Sequence, residues 1–523
     1  MQFIKKFFTN FLFDKYDKYA IINCLLFFMI LIILSSFHEI GGFGVETDFY
    51  GAYADNAQKI LNGERYYDED HGPGYLFILI VFYLVTGDFF IAGKFVSIFS
   101  ATLLGLFTFL TIKALFNSKL AFFTTLLLLI IIFPISLLAS TDMFFSFLFS
   151  LAIYFLFRKG EISVSNLFWG GLISGYSIMT RLNSIVLPLV IIFSIIFLNT
   201  PKWHFPKILK SLLIFLVAIL ITLSPWLIMN IIYYGKPFVS GAHQTIGASF
   251  LKQEAPIGDT DFAWTAMKQT VSEKYDSIFS LILGNFQSFI IFFLKNIIPY
   301  FQKILLELIK FPGYLFFAPG VVLLLSKINK IQLTYFLIPV LGFLIYCIVS
   351  FDLRFYIYIA VFLLFFVVYF LFYENFSHNN ISFKSRFNLI SKIFFIITIF
   401  FLSKESFNEM KANITAEPLY LLKIADTLKH DAQNSDIIFA RKPHLGYFSH
   451  IKTELLPDLD SAELLLQYAK AKGVKYLFYG ITEAKARPKL NMLQEPEKLP
   501  AAFQLIYTQD FPKAFLYKLA LEK

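Results

Sequence analysis

Residues 119–135 read KLAFFTTLLLLIIIFPI, and apart from Lys119 at the start this stretch carries no charge. About 20 such apolar residues cross the hydrocarbon core of a bilayer as a helix, because every backbone N–H and C=O must be paired internally there. Similar runs recur along the 523-residue chain, which is 57% apolar and 15% charged, with a mean hydropathy of +0.67. The sequence therefore predicts a polytopic α-helical membrane protein.

Hydropathy predicts eleven membrane spans. They cover residues 20–37, 90–116, 119–135, 142–157, 166–180, 182–199, 208–233, 311–325, 331–350, 354–373 and 387–403. An odd number of spans places the two termini on opposite sides of the membrane. The first run lacks a small-residue cleavage site, so we expect an uncleaved span rather than a signal peptide.

The distribution of charge orients this bundle. Lysines and arginines concentrate in the segments that share a side with the N-terminus, whereas residues 38–89 are strongly acidic. Because short cytoplasmic loops carry the excess of positive charge, the N-terminus is predicted to be cytoplasmic, in a plasma or bacterial inner membrane. The net charge of +9 is thus a topology signal, and it gives no reason to expect a nucleic-acid surface.

Two long segments, 38–89 and 234–310, are predicted to lie outside on the extracytoplasmic side. In the first, Thr47 or Asp48 is suited to cap an amphipathic helix that ends at Asn62-Gly63 and lies at the membrane interface. A second apolar run, Tyr75 to Val85, is short for a span, so we expect a half-inserted helix. The alternative, a true span, would reverse the orientation of every segment that follows.

From residue 404 the composition is that of a soluble protein. Helices are predicted at 417–430 and 461–472 and strands at 436–440, 475–479, 503–508 and 514–519, which together indicate a small α/β domain. We therefore divide the chain into a membrane domain, 1–403, and an external domain, 404–523. Both cysteines, Cys24 and Cys347, fall inside predicted spans, which excludes a disulfide within the external domain.

Acidic residues mark the candidate catalytic site. Glu46 and Asp48 follow the first span, and Asp142 stands at the external start of the fourth. A carboxylate near a helix N-terminus is stabilised as the anion, which suits a general base. Asp is also a preferred helix cap, so the purely structural interpretation carries about equal weight for Asp48.

Positive charges are predicted at the same membrane level. Arg181 lies between the fifth and sixth spans, Arg354 opens the tenth, and His71 stands in a Gly-Pro-Gly turn. Either arginine alone is explained by snorkelling to the interface, but together with the aspartates they suit a cleft for a phosphate group and a hydroxyl acceptor. Lys94, Lys236 and His243 are expected to be ordinary surface residues.

Several short motifs occur in the order found in a known family. They are Glu46-Thr47-Asp48, Gly63 with Tyr66, His71-Gly72-Pro73, Thr141-Asp142, Gly171-Leu172-Ile173-Ser174-Gly175 through Thr180-Arg181, Pro225-Trp226 with Asn230, Tyr234-Gly235-Lys236-Pro237, Arg354-Phe355, and in the tail Ala440-Arg441-Lys442-Pro443 with Tyr447. The chain resembles the GT-C type glycosyltransferases that use lipid-linked sugars. The likeness is to the branch of protein O-mannosyltransferases and aminoarabinose transferases, similar to bacterial glycosyltransferase family 39.

The resemblance implies an inverting glycosyltransferase of the cell envelope. Asp48 would deprotonate an acceptor hydroxyl on a lipid, glycan or protein, and the hydroxyl would attack the anomeric carbon of a polyprenyl-phosphate sugar. Glu46 and Asp142 would share the catalytic site, while Arg181, Arg354 and His71 would stabilise the departing phosphate. The sugar would be a hexose or a pentose.

Two departures from the family pattern limit this transfer of roles. Gly72 stands where the family often has a first proline, and His71 stands where aminoarabinose transferases carry lysine. Donor and acceptor therefore cannot be copied from the family. No cofactor is predicted; Asp68-Glu69-Asp70 can attract a divalent cation but does not form a dedicated metal site.

Two other classes of function fit the same composition. A transporter or flippase for a lipid-linked substrate would also have many spans, but its ionisable residues would be expected near the bilayer midplane, often with inverted repeats. The candidate charges here cluster at one interface, and no repeat is visible, which favours an enzyme. A non-catalytic envelope scaffold built on the external domain is the other alternative.

Overall fold

The computed structural model describes residues 14–66, 68, 71–158, 163–199, 205–239, 241–251, 260–349, 351–372 and 381–521. Within these residues the chain forms two compact units. The helical unit comprises residues 1–37, 67–250 and 275–412, and the mixed unit comprises residues 38–66, 251–274 and 413–523. Each is described separately below.

The helical unit is built from long apolar helices. Its helices are Lys15–Ser35, Gly74–Thr86, Phe89–Leu115, Ser118–Ile132, Thr141–Phe157, Val164–Thr180, Val186–Asn199, Phe205–Tyr234, Ala242–Phe250, Ile278–Gly284, Phe286–Ile304, Gly313–Leu325, Lys330–Tyr346, Ile357–Leu371 and Ile381–Thr415, the last of which extends beyond the unit boundary at residue 412. Among the described residues, six helical segments are long and apolar enough to cross a bilayer, and five shorter apolar helices accompany them. The expectation of an α-helical membrane protein is confirmed.

Every one of the eleven predicted spans coincides with a helix. One apolar segment, Phe286–Ile309, was not predicted as a span, because it carries Lys295, Lys303 and Glu307. It lies within the predicted external loop 234–310. In this segment Asn296 donates to the Cys347 carbonyl at 3.0 Å, and Tyr300 donates to the Val349 carbonyl at 3.0 Å. The number of helices that cross the membrane stays a prediction.

Polar contacts show how the first helices run. Lys113 pairs with Asp17 at 2.7 Å, whereas Lys94 donates to the carbonyl of Ser35 at 2.8 Å. Helix Phe89–Leu115 is therefore antiparallel to Lys15–Ser35. Lys94 is also buried, so the expectation that it is an ordinary surface residue was wrong. A lone lysine within a 27-residue apolar helix was the sequence signal for this burial.

The short helix Gly74–Thr86 has both ends at the same end of the bundle. The Ser97 hydroxyl donates to the carbonyl of Leu138 at 2.6 Å. The segment before Asp142 therefore lies at the same end of the bundle as Ser35, whose carbonyl accepts from Lys94. Gly74 contacts Thr180, and Thr86 is joined to Phe89 by two residues. This geometry is compatible with a half-inserted helix, and the membrane position of the segment stays a prediction. We refer to this end of the helical unit as the Asp142 end.

The mixed unit contains a five-stranded sheet in the order β2-β1-β3-β5-β4. Its strands are Ile437–Ala440 (β1), Lys452–Leu455 (β2), Tyr476–Gly480 (β3), Phe503–Gln509 (β4) and Ala514–Leu519 (β5). β1 is parallel to β2 and β3, and β5 is antiparallel to β3 and β4. Helices Tyr420–Asp431, His444–Ser449, Ala462–Lys472 and Ile481–Ala486 complete the α/β fold. Apolar side chains cover both faces of the sheet.

The two compact units do not coincide with the predicted domains. Residue 404, where the composition changes, lies inside the continuous helix Ile381–Thr415, and the C-terminal part of the mixed unit begins at residue 413. Residues 38–66, predicted to belong to the membrane domain, are compact with the C-terminal sheet instead. The reason is packing: Gly51 lies against the ring of Pro443, and the ring of Tyr50 contacts that of Tyr447 at 4.7 Å between centroids.

The predicted helix that ends at Asn62-Gly63 is present, and its position at the membrane interface stays a prediction. It begins with Glu46–Asp48, continues as a π-helix over Phe49–Ala54, and ends as Asp55–Leu61 before Asn62 and Gly63. The N-cap position is Val45, so Thr47 and Asp48 lie inside the helix and do not cap it. A π-helix is rare and occurs frequently at functional sites.

Candidate functional site

The site in the helical unit is centred on Asp142. Ser140, rather than Asp142, caps helix Thr141–Phe157, and Asp142 lies in its first turn. There the helix dipole stabilises the carboxylate. The Asp142 side chain is only 5% exposed, so its charge must be compensated by neighbouring groups.

Two arginines supply this compensation. Asp142 Oδ1 accepts a hydrogen bond from Nη1 of Arg181, and its Oδ2 lies 3.8 Å from Nη1 of Arg354. Arg181 is the residue that follows helix Val164–Thr180, and its guanidinium lies 5.1 Å from the centroid of the Phe355 ring. The structure thus brings together three of the candidate residues identified from the sequence.

Arg354 has a second carboxylate partner. Its Nη2 and Nε donate to Asp352 Oδ2 at 2.6 and 2.9 Å. Burial would raise the pKa of Asp352, but the hydrogen bonds and charge of Arg354 outweigh this and hold that pKa below its usual range. The side chain of Arg354 stays 27% exposed, so it is not sealed off from solvent.

His71 lies in a turn that packs on the C-terminal end of helix Val164–Thr180, the end that Arg181 follows. Its Nδ1 is 3.0 Å from Asp68 Oδ2, and its backbone N–H donates to Asp68 Oδ1 at 3.0 Å. A Cβ atom on Gly72 would lie 2.2 Å from the carbonyl oxygen of Met179, two residues before Arg181. The departure from the family's proline therefore has a physical reason, because only glycine lets the turn approach the helix end so closely.

A cavity of about 550 Å³ opens at the Asp142 end. Its wall is mainly apolar, and its charged lining comprises Arg354, Lys310, Glu307, Glu405 and Glu409. Lys310 is held by Glu409 at 2.5 Å and Glu405 at 3.5 Å. Arg354 therefore belongs both to this cavity and to the cluster formed by Asp142, Arg181 and Arg354.

Three further motif residues of the helical unit, Gly171, Gly175 and Asn230, have contacts that indicate structural roles. Gly171 and Gly175 let helix Phe205–Tyr234 approach, because Cβ atoms there would lie 2.6 Å from the Phe215 carbonyl oxygen and 2.8 Å from that of Ile219. Asn230 donates to the carbonyl of Pro237 at 3.3 Å and fastens the turn after that helix.

Glu46 and Asp48 belong to the mixed unit. Glu46 is buried, with one carboxylate oxygen 2.6 Å from Nε2 of His38 and the other accepting the backbone N–H of Gly42 at 2.7 Å. Asp48 lies two residues further along the same helix and is exposed. Sequence reasoning missed His38, whose partner Glu417 is 379 residues away.

No group of three or more histidine, cysteine or carboxylate side chains suited to a metal ion occurs among the described residues. Two members of the acidic run considered for a divalent cation, Glu69 and Asp70, lie outside the described residues. No metal ligands are assigned on this basis.

Comparison with known proteins supports the resemblance to the GT-C type membrane glycosyltransferases, in sequence over part of the chain and in fold over nearly all of it. Residues 70–229 match the sequence model of the dolichyl-phosphate-mannose-protein mannosyltransferase family. Among curated proteins, none matches this chain in sequence.

Solved structures share the fold over nearly the whole chain. ArnT from Cupriavidus metallidurans, in a crystal structure bound to undecaprenyl phosphate, is 12% identical with a TM-score of 0.62, and the match covers 94% of this chain and 97% of ArnT. The archaeal oligosaccharyltransferase AglB from Archaeoglobus fulgidus, in complex with an inhibitory peptide and a dolichol-phosphate, is 11% identical with a TM-score of 0.59, covering 98% of this chain and 75% of AglB. The predicted fold class is confirmed.

Proposed function

We propose that this protein is an inverting glycosyltransferase that moves a sugar from a polyprenyl phosphate to an acceptor hydroxyl at the extracytoplasmic face of the membrane. The observation that carries the proposal is the cluster of Asp142, Arg181 and Arg354 beside a largely apolar cavity. An arginine in the lining of a largely apolar cavity suits a lipid phosphate, whose head is an anion and whose tail is a hydrocarbon.

In this mechanism Arg354 and Arg181 bind the phosphate oxygens and stabilise the charge that develops when the bond to the sugar breaks. Asp142 orients the two guanidinium groups, because its oxygens face both of them. His71, held by Asp68, donates a further hydrogen bond to the phosphate. The carboxylates of the cavity repel an anion, which restricts the phosphate to the side of Arg354.

Asp48 is proposed as the general base, on the strength of the family motif. It takes the proton of the acceptor hydroxyl while the oxygen attacks the anomeric carbon, and the polyprenyl phosphate leaves from the opposite side with its electron pair. Glu46 is engaged by His38 and Gly42, so we assign it a structural role rather than a proton transfer.

The orientation is also proposed. The end of the helical unit with Asp17 and Lys113 faces the cytoplasm, and the Asp142 end and the C-terminal domain face the outside. The supporting observation is the charge distribution, because Arg158, Lys327 and Lys330 then lie on the cytoplasmic side.

The test is sugar transfer by the purified full-length protein in lipid, with a panel of polyprenyl-phosphate sugars. Arg354→Ala should weaken binding of undecaprenyl phosphate about 10- to 100-fold, since a hydrogen bond to a charged group contributes roughly 1.5–3 kcal/mol. Asp48→Asn should lower the rate of transfer by about 10²- to 10⁴-fold without changing donor binding. Arg158→Ala is the matched control, because Arg158 is bonded to Asn166 in the opposite half of the bundle.

Unchanged donor binding in Arg354→Ala would remove the phosphate role from the cluster. Full transfer by Asp48→Asn would show that the base is another residue. Movement of a lipid-linked sugar across the bilayer that persists in Asp48→Asn, with no transfer to any acceptor, would support the transporter.

A further inference from the structure

A buried histidine joins the segment after the first helix to the C-terminal part of the mixed unit. The side chains of His38 and Glu417 are each 1% exposed, and His38 Nδ1 is hydrogen-bonded to Glu417 Oε1. The other ring nitrogen, Nε2, is 2.6 Å from Glu46 Oε1. His38 therefore bridges two carboxylates that are far apart in sequence.

The protonation of His38 follows from this arrangement. Burial alone would lower the pKa of the imidazole, but the hydrogen bonds and charges of Glu417 and Glu46 outweigh burial and raise the pKa to about 9. At neutral pH both ring nitrogens consequently carry protons and donate to the two carboxylates. Charge-assisted hydrogen bonds of this kind are about twice as strong as neutral ones.

The remaining carboxylate oxygens hold the backbone. Glu417 Oε2 accepts the N–H groups of Glu39 at 2.9 Å and Ile40 at 3.2 Å. On the other side Glu46 Oε2 accepts the N–H of Gly42. Gly41 has φ +75°, and a Cβ there would lie 2.6 Å from that same oxygen of Glu46. The loop 38–45 is thus wound around the three side chains.

A second set of contacts fastens the same loop and helix. Burial lowers the pKa of His444 to about 4, so its imidazole is neutral, and Nε2 lies 3.1 Å from the carbonyl of Gly42, to which it donates. The Tyr50 hydroxyl donates to the carbonyl of Ile40, and its ring contacts those of His444 and Tyr447. Residues of the C-terminal segment therefore contact both the loop and the helix that begins at Glu46.

We propose that His38 and Glu417 are positioning residues that hold Asp48 in place for catalysis. The C-terminal part of the mixed unit then supports the catalytic base. This inference rests on the proposed function. Asp48 is two residues after Glu46 on the same helix, and movement of that helix start would displace it directly. A misplacement of about 1 Å costs on the order of 10²-fold in rate.

The experiment compares full-length Glu417→Gln and His38→Ala with Asp48→Asn. Asp460→Asn is the matched control, because it removes a carboxylate from an exposed pair with Lys489 in the same unit. The first readout is amide hydrogen exchange of residues 46–54 in lipid nanodiscs. The second is the kinetics of sugar transfer, with kcat and the donor KM measured separately, with and without added imidazole.

We expect exchange in residues 46–54 to rise at least 10-fold in Glu417→Gln and His38→Ala but not in Asp460→Asn. We also expect kcat to fall about 10- to 100-fold at constant donor KM, and imidazole to restore part of the kcat of His38→Ala. Imidazole should leave Glu417→Gln unchanged, since its histidine is present.

Unchanged amide hydrogen exchange of residues 46–54 in Glu417→Gln would overturn the proposal. This holds even if the protein transfers none of the sugar donors. Wild-type kcat in His38→Ala and Glu417→Gln, beside an inactive Asp48→Asn, would overturn it while leaving the proposed function intact. If Asp48→Asn also retains full kcat, the assignment of the base fails instead. Should His38→Ala not fold, Glu417→Gln decides, because glutamine keeps an oxygen for the N–H groups of Glu39 and Ile40.

Discussion

Replacing Gly72 by alanine tests the packing that positions the His71 turn. A Cβ atom at Gly72 would lie 2.2 Å from the carbonyl oxygen of Met179 and 2.9 Å from its carbonyl carbon. A Cβ contact below 3.0 Å is essentially never seen in proteins, so the turn or the end of helix Val164–Thr180 must move by at least about 0.8 Å. Neither atom belongs to a flexible side chain that can turn away.

The size of the effect follows from this displacement. Overpacking of this kind costs about 1–3 kcal/mol, and a shift near 1 Å at residues that contact a reacting group costs on the order of 10²-fold in rate. In a chain of 523 residues, Gly72→Ala should therefore lower the thermal unfolding temperature by about 1–3 °C and reduce sugar transfer about 10- to 100-fold. Gly72→Pro, which restores the residue common in the family, should be at least as harmful.

The assay is thermal unfolding of the purified protein in detergent, followed by transfer with a saturating donor. Gly170→Ala is the control, because no heavy atom outside its own helix lies within 4 Å of a Cβ there. Alanine in a helix interior gains about 0.5–1 kcal/mol over glycine, so this variant should unfold at the wild-type temperature or slightly above. If Gly72→Ala matches Gly170→Ala in both measurements, the turn does not need glycine and the reasoning is refuted.

Three further outcomes are expected. Gly171→Ala should be destabilised by about 1–3 kcal/mol relative to Gly170→Ala, since its Cβ would meet the Phe215 carbonyl at 2.6 Å; equal unfolding temperatures would contradict the helix contact. The pKa of His38 is raised to about 9, so its contribution to stability should be complete below pH 6.5 and be lost as the pH rises through about 9. In His38→Gln the free energy of unfolding should therefore decline less steeply at alkaline pH. His444 has the opposite sign, since its pKa is lowered to about 4: its contribution is present above pH 6.5 and is lost on acidification, so His444→Gln should weaken the acid transition measured by near-ultraviolet circular dichroism.

Apolar runs and strand patterns were the most predictable part of the fold. The predicted strand 514–519 coincides with β5, and the predicted strand 503–508 is one residue shorter than β4. β2, Lys452–Leu455, was missed because its four residues are mostly polar and incompletely buried at the edge of the sheet. A short edge strand carries too little periodicity to be recognised from sequence.

Local signals also failed where distant contacts decide the structure. Thr47 and Asp48 are good caps by residue type, yet the helix begins at Glu46, whose carboxylate is held by His38 and Gly42. The last partner in that network, Glu417, lies outside any sequence window that contains Glu46. Caps are chosen by tertiary contacts as well as by propensity.

The candidate site was predictable in part. The membrane level of Asp142, Arg181 and Arg354 followed from span boundaries, and the structure brings these three side chains together. Sequence alone could not show that Lys310 and Arg354 share a cavity, because this depends on the packing of segments that are distant in the chain.

The π-helix over Phe49–Ala54 has a consequence for how this segment tolerates changes in length. A π-turn holds one residue more than an α-turn, so it behaves as an insertion that the helix has absorbed. Deleting one residue here would convert the π-turn into an ordinary α-turn and leave Glu46–Asp48 on nearly the same face relative to Asp55–Leu61. Asp48 would then keep its side of the helix although one residue fewer separates it from Asp55, so a relative one residue shorter in this segment should be aligned with a gap inside Phe49–Ala54.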